Sequence, residues 1–222
     1  MALTLARQLA RGRRPSWPPL LAGAVLTVAI LALPDAQFPA KRIHVAEYLV
    51  MAVLVRHALC EAVSGRALAT LGVLITTLYG IHDEMLQGLA PDRSFGLRDI
   101  LVDALSGLAG TLMLHGLRLF GRETGGRSGP PMPARWPAAL MTPGLLLTGL
   151  GILLLLIALP AETDRLLPLW PALPLLAGGF VWSLEPPPSH AGLRQSLEHA
   201  VALALLLAVY GALSQTLGLP FR

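Results

Sequence analysis

The stretch that decides the fold reads YGIHDEMLQGLAPDRSFGLRDILVDALSGLAG and runs from Tyr79 to Gly110. It concentrates acidic residues in a chain that otherwise avoids charge, since only 14% of the 222 residues are charged and 54% are hydrophobic. Polar groups at membrane depth are costly and are kept mainly where they act. The stretch therefore predicts membrane helices and also the position of a functional site.

The composition of the whole chain predicts an integral membrane protein. Its mean hydropathy of +0.63 leaves too little polar surface for a water-soluble fold. The basic residues that give a pI near 10.0 lie between apolar segments, so they indicate membrane topology and not a nucleic-acid patch. The one cysteine, Cys60, lies in an apolar run, which excludes a disulfide framework and suggests a small core residue.

Apolar runs of suitable length predict an all-α, polytopic transmembrane helix bundle of about seven spans. The predicted spans are Leu20–Leu33, Ile43–Cys60, Ala67–Gly88, Asp99–Leu119, Ala138–Leu159, Leu167–Leu184 and Ser196–Ser214. The sixth span is rich in proline, and the count falls to six if it does not cross. The first has a basic flank like that of a signal peptide, but no clean cleavage site follows it, which favours an uncleaved span.

Four regions follow from these spans. We expect a basic cytoplasmic tail at 1–16, a four-helix membrane unit at 17–119, a Gly/Pro/Arg-rich cytoplasmic loop at 120–137 and a three-span extension at 138–222. The tail is either a short basic helix on an anionic membrane face or a disordered segment. With the N-terminus inside, eleven basic residues are cytoplasmic and six are outside, which favours this orientation.

With alternating directions, the start of span two, the end of span three and the start of span four meet at the outer face. Helical spacing and this topology predict ten candidate site residues. They are Lys41, His44, Tyr48, Tyr79, Asp83, Glu84, Gln87, Arg93, Asp99 and Asp103. Adjacent acids inside an apolar helix, Asp83 and Glu84, are the hardest to explain as packing. Alternatives stay open for Arg93, as an interfacial cation, and for Asp99, as a helix cap.

The same residues carry a family resemblance. Lys41 and His44 precede a helix with Tyr48, and a Y-G-x-x-D-E-x-x-Q segment, a P-x-R connector and a helix opening with Asp99 follow in order. This pattern, over about 40–119, resembles the VanZ-like family of bacterial membrane proteins, named for a determinant associated with reduced teicoplanin susceptibility. Two positions depart from it: Leu86 stands where the family often has histidine, and Asp103 where it often has asparagine. A metal or proton-relay role that requires this histidine is not expected.

The resemblance implies a multi-pass protein of the bacterial cytoplasmic membrane and cell envelope. We expect an outward polar site that binds a polar lipid headgroup or a cell-wall-related ligand, with glycopeptide susceptibility as an implied link. One alternative is an intramembrane enzyme that acts on a lipid-linked substrate with a carboxylate general base, although no convincing nucleophile is visible. A proton-coupled transporter is the other. Membrane lipids are the expected partners, without nucleic acid, metal or other cofactor.

Overall fold

The computed structural model describes residues 15–33, 39–60, 63–120, 166–170, 172–184 and 191–222, with 147, 149–151 and 153–154. Every regular element in this described part is helical, which confirms the all-α prediction. The elements are α1 (Trp17–Ile30), a 3-10 turn (Pro39–Arg42), α2 (Ile43–Leu59), α3 (Gly65–Leu89), α4 (Leu97–Gly116), α5 (Ala172–Leu184) and α6 (Ala191–Leu217).

The first four predicted spans agree with the helices to within three residues, whereas the helices of the sixth and seventh spans begin five residues from their predicted starts. The helix of the sixth span, predicted from Leu167, begins at Ala172, immediately after Pro171. A residue before proline is driven away from helical backbone angles, so Pro168 and Pro171 delay the start. The tail at 1–14, the loop at 121–137 and most of the span predicted at 138–159 lie outside the described residues.

Among the described residues, one helical segment is both long and apolar enough to cross a membrane: Gln195–Leu217, within α6. Two shorter apolar segments, Trp17–Ile30 and Ala172–Val181, lie in α1 and α5. The helices α3 and α4 carry the polar residues of the candidate site, and these lower the mean hydropathy of both helices. The described helices are thus consistent with a membrane protein. The count of seven spans stays a prediction.

The chain divides into two compact units. The first consists of Met1–Gly80 with Arg98–Glu123, and the second of Ile81–Leu97 with Thr124–Arg222. The helix α3 is continuous and supplies its first sixteen residues to the first unit and its last nine to the second. The regions expected from the sequence, 17–119 and 138–222, stay predictions.

In the first unit, α3 and α4 pack through small residues in antiparallel register. Positions 72, 76 and 80 of α3 face positions 111, 107 and 103 of α4. A Cβ atom at Gly107 would lie 2.5 Å from Thr76 Cγ2, and one at Gly80 would lie 2.8 Å from Asp103 Cβ. Glycine at these two sites therefore permits an approach of the two backbones that any side chain would prevent.

The other faces of α4 contact α1 and α2, so α4 is the central helix of the first unit. Gly110 lies against Ala52 of α2, while Gly116 lies against Leu20 of α1 and accepts a 2.8 Å hydrogen bond from the backbone of Ser16. An apolar cluster fills the space between these helices; its buried members are Ile30, Val45, Val102 and Ala109. Burial of these side chains fixes the positions of the polar residues on α2 and α4.

In the second unit, α5 and α6 pack against each other, and the segment 166–170 lies on the end of α6. The buried hydroxyl of Ser214 accepts a 2.7 Å hydrogen bond from the Leu167 amide and donates one of 2.9 Å to the Leu219 carbonyl. The Gln215 side chain donates to the Leu167 carbonyl at 2.8 Å. Two polar side chains of α6 thus hold the segments on both sides of the helix pair.

Candidate functional site

The candidate residues of the second unit are arranged around Glu84, which is fully buried on α3. One carboxylate oxygen accepts a 3.0 Å hydrogen bond from the Gly96 amide, in the connector between α3 and α4. The other accepts a 3.0 Å bond from Gln87 Nε2. A buried carboxylate is tolerable when both oxygens are hydrogen-bonded, so this network explains why an acid occupies the site.

Asp83 and Glu84 are joined by Gln87. Its amide nitrogen lies 3.0 Å from Asp83 Oδ2 and 3.0 Å from Glu84 Oε1, so the two amide protons reach both acids. The three residues sit on consecutive turns of α3, at the i, i+3 and i+4 spacings that bring side chains together. The predicted grouping of these residues on one helix face is present in the second unit.

His82 pairs with α6. Its Nδ1 atom lies within hydrogen-bonding distance of the Tyr210 hydroxyl, and the two ring centroids are 5.6 Å apart. Tyr210 is buried. The pair ties α3 to the one long apolar helix of the described chain, within the second unit.

The candidate residues of the first unit form two acid–base pairs. Lys41 Nζ lies 2.5 Å from Asp99 Oδ2, and the two side chains are 40% and 10% exposed. Asp99 is in the first turn of α4. An acid there is favoured by the helix dipole, and Lys41 compensates the charge that burial would otherwise penalise. Asp99 therefore forms an ion pair with Lys41 in addition to its favourable interaction with the helix dipole.

The second pair is more deeply buried. His44 Nδ1 lies 3.3 Å from Asp103 Oδ1, and Asp103 is fully buried. Gly80 allows the approach of α3 to this aspartate, and the buried Tyr48 ring lies on the same side of Gly80. The first unit thus brings together five of the predicted site residues, Lys41, His44, Tyr48, Asp99 and Asp103, on the 3-10 turn, α2 and α4.

The two remaining candidates are Tyr79 and Arg93. Tyr79 is half-buried on α3. Arg93 is exposed in the connector, where its amide donates a 3.3 Å hydrogen bond to the Ala90 carbonyl. No contact of its side chain with Glu84 or Asp83 is present in the described part of the second unit. The interfacial-cation alternative for Arg93 stays open.

Sequence reasoning missed four contributors to the Glu84 region. They are the Gly96 amide, Tyr210, Phe221 and Arg222. The backbone of Arg222 donates to the Gly88 carbonyl at 2.9 Å and accepts from the Phe95 amide at 2.6 Å. A backbone donor leaves no trace in side-chain patterns, and residues more than a hundred positions away share no helix period with α3. The one available signal is the aromatic pair Phe95 and Phe221 in otherwise polar or turn-rich surroundings.

The first unit offers a partly exposed ammonium and an imidazole beside a carboxylate, which suits recognition of polar or charged groups. No protein-family model matches this chain, and comparison with curated proteins and with solved structures likewise finds no significant match.

Proposed function

We propose that the chain is a VanZ-like, multi-pass protein of the bacterial cytoplasmic membrane that binds a polar lipid headgroup or a cell-wall-related ligand at its outer face. The proposed site contains the polar residues that the first unit brings together: Lys41, His44, Tyr48, Asp99 and Asp103. The ligand meets Lys41 through an anionic oxygen, while hydroxyl or amine groups meet the carboxylates.

Membrane residence is supported by the distribution of polar and apolar side chains. Glu84, Asp103 and Ser106 are completely buried. Large apolar residues are exposed instead, among them Val28 of α1 at 71% and Phe180 of α5 at 65%. This distribution suits helices whose outer faces contact lipid and whose polar groups are satisfied inside the protein.

A count of seven spans is supported by contacts inside the second unit. Phe221 and Arg222 lie against Gly88 and Phe95, which flank the connector predicted outside. Segments that touch on one side of a membrane are separated by an even number of crossings. Four predicted spans separate the connector from residue 221 if the proline-rich segment crosses, and three if it does not, so the contact favours crossing.

The observation that carries the ligand proposal is the environment of Lys41. Its ammonium pairs with Asp99 yet keeps 40% of its side chain accessible. A cation held in place by a nearly buried acid is oriented before a ligand arrives, which reduces the entropy cost of binding an anion. The deeper His44–Asp103 pair supplies a second polar surface on the same unit.

The contacts of Glu84 favour binding over the enzyme alternative. Both oxygens of this carboxylate accept hydrogen bonds from the protein itself. A general base needs an oxygen within reach of a substrate proton. Glu84 is used to hold the connector, so it is poorly placed to act as that base.

Topology is tested with cysteine substitutions at exposed positions. Cys60 is buried, which gives a low background for a membrane-impermeant maleimide. Residues 64, 92 and 220 are all exposed in the structure, so a cysteine at each is accessible to the reagent on its own side of the membrane. The proposed topology puts residues 92 and 220 outside and residue 64 inside. We therefore expect Asp92→Cys and Pro220→Cys to be labelled in intact cells, and Ser64→Cys only after permeabilisation. Labelling of Pro220→Cys only in permeabilised cells contradicts seven spans, and labelling of Ser64→Cys from outside contradicts the orientation.

Ligand binding is tested on the purified protein in phosphatidylcholine nanodiscs, with phosphatidylglycerol and a soluble muramyl peptide as separate probes. We expect Lys41→Gln to weaken retention of the bound probe by about tenfold, because one charge-assisted contact is lost. Lys41→Arg should restore it. Arg42→Gln is the matched control, since Arg42 is an exposed neighbour that contacts only the Leu31 carbonyl among the described residues. Equal losses in Lys41→Gln and Arg42→Gln, or binding of neither probe, reject the proposed site.

A further inference from the structure

We propose that Phe221 and Arg222 form a clasp that fixes the α3–α4 connector, residues 90–96, in the conformation in which the Gly96 amide reaches Glu84. The clasp residues are positioning residues for the hydrogen-bond network of Glu84 in the second unit. The clasp itself is independent of any ligand, while its effect on binding rests on the proposed function.

The first component of the clasp is a pair of backbone hydrogen bonds. The Arg222 amide donates to the Gly88 carbonyl at 2.9 Å, and the Phe95 amide donates to the Arg222 oxygen at 2.6 Å. Gly88 is near the end of α3 and Phe95 is near the start of α4. One residue therefore joins both ends of the connector through the main chain.

The second component is the Phe221 ring, which is 97% buried. It packs so closely on α3 that a Cβ atom at Gly88 would lie 2.6 Å from two ring carbons. The ring of Phe95 completes the contact, with centroids 5.4 Å apart and planes tilted by 48°. Offset, tilted aromatic pairs of this kind are favourable beyond their buried area. Gly88 thus provides the space that the ring occupies.

The third component is the Arg222 side chain, whose Nη1 atom donates to the Pro91 carbonyl. Pro91 is the turn residue of the connector, and the carbonyl groups of such a turn otherwise face solvent. Arg222 consequently contacts the beginning, the middle and the end of this loop. Contacts distributed along a short loop restrict its motion more than the same number at one end.

The clasp reaches Glu84 through adjacent amides. Phe95 N–H bonds to Arg222, and the next N–H, of Gly96, bonds to Glu84 Oε2. The internal turn of the connector ends with the bond from Arg93 to Ala90. Residues 94–96 therefore depend on the clasp for their position. If the clasp opens, the Gly96 amide loses its fixed direction toward the buried carboxylate.

Two substitutions open the clasp from opposite sides. Phe221→Ala removes the ring, and Gly88→Ala fills the space that the ring needs. Gly149→Ala is the matched control, because a Cβ atom there has no neighbour within 4 Å among the described residues. Arg222→Lys is the conservative variant, since the backbone bonds of residue 222 do not depend on its side chain.

The measurement is hydrogen exchange of the Phe95 and Gly96 amides in the full-length protein in detergent. We expect Phe221→Ala and Gly88→Ala to raise both exchange rates by about tenfold, while amides in the middle of α4 keep their rates. Arg222→Lys and Gly149→Ala should resemble the unmodified protein. Unchanged exchange at Phe95 and Gly96 in both clasp variants overturns the proposal.

Binding of phosphatidylglycerol in nanodiscs separates the clasp from the proposed function. If exchange rises and the probe is also released more readily, both proposals are supported. If exchange rises in the clasp variants and the unmodified protein binds no probe, the clasp stands and the headgroup proposal is rejected.

Discussion

The helix pair α3–α4 of the first unit and the helix pair α5–α6 of the second are held together by different means. Small residues face each other along α3 and α4, and buried acids lie at one end of that interface. Along α5 and α6, the close contacts are made by large side chains, such as that of Leu205 on Gly179. Ser214 and Gln215 anchor the end of α6 through hydrogen bonds to Leu167.

The two helix interfaces differ in how well they tolerate a larger side chain. An interface in which two backbones lie close together tolerates a larger side chain poorly, because no flexible side-chain atom is there to move aside. Leucine methyl groups can rotate away from an intruding atom. Polar residues that must keep exact partners are therefore carried by the pair with the least adaptable interface, and the adaptable pair carries apolar surface.

The largest expected effect is at the small-residue interface. Gly107→Ala should destabilise the protein by about 2 kcal/mol, because the new methyl group lies 2.5 Å from Thr76 Cγ2 and only 3.0 Å from Thr76 Cβ. Gly179→Ala meets only the mobile end of Leu205, so we expect a loss below about 1 kcal/mol. Unfolding free energy in mixed detergent and SDS measures both, with Gly149→Ala as the unhindered control. A larger loss at Gly179 than at Gly107 would break the comparison.

A smaller effect is expected at the polar end of the second pair. Ser214→Ala leaves the Leu167 amide and the Leu219 carbonyl without their shared partner, which should cost about 1.5 kcal/mol. Thr216→Ala is the control, because Thr216 is exposed and its hydroxyl bonds only within its own helix, to Ala212. Equal thermal midpoints for the two variants would show that the 166–170 segment does not depend on Ser214.

The smallest effect is expected for Asp103→Asn. Asparagine has almost the same volume, so it fits beside Gly80 and keeps a carbonyl oxygen next to His44. We expect a loss below about 1 kcal/mol. Asp92→Asn, in the exposed connector, is the control for removal of one negative charge. A loss several times larger in the same SDS titration would mean that the charge of Asp103, and not its shape, maintains the first unit.

Local features of the fold could be predicted from the sequence because they depend on neighbours along the chain. The start of α2 at Ile43 and the helical grouping of Asp83 with Gln87 follow from periodicity and are present. Gly107 and Gly110 lie on one stripe of small residues, the pattern typical of close helix packing, and both make such contacts. Ser106, in the same stripe, instead bonds to the Val102 carbonyl of its own helix.

Partners distant in sequence could not be predicted in the same way. Lys41 was expected near several acids, and nothing in the periodicity selects Asp99 as its partner. Nothing in the sequence pattern identifies Tyr210, 128 positions away, as the partner of His82. Glu84 was expected to act on a ligand, whereas a loop amide occupies one oxygen. The predicted topology indicates which helix ends lie at the same membrane face. The packing of the side chains determines which residues of those ends form pairs.

The end of α4 has a consequence for the biosynthesis of the protein. Arg118 and Phe120 both have left-handed backbone angles, with φ of 54° and 53°, a region in which glycine is cheaper by about 1 kcal/mol per residue. In the proposed topology, Arg118 is one of the cytoplasmic basic residues. In that topology, a glycine at 118 would relax the folded chain but remove a positive charge that favours this orientation of the nascent helix. Folding and insertion then favour different residues at this position.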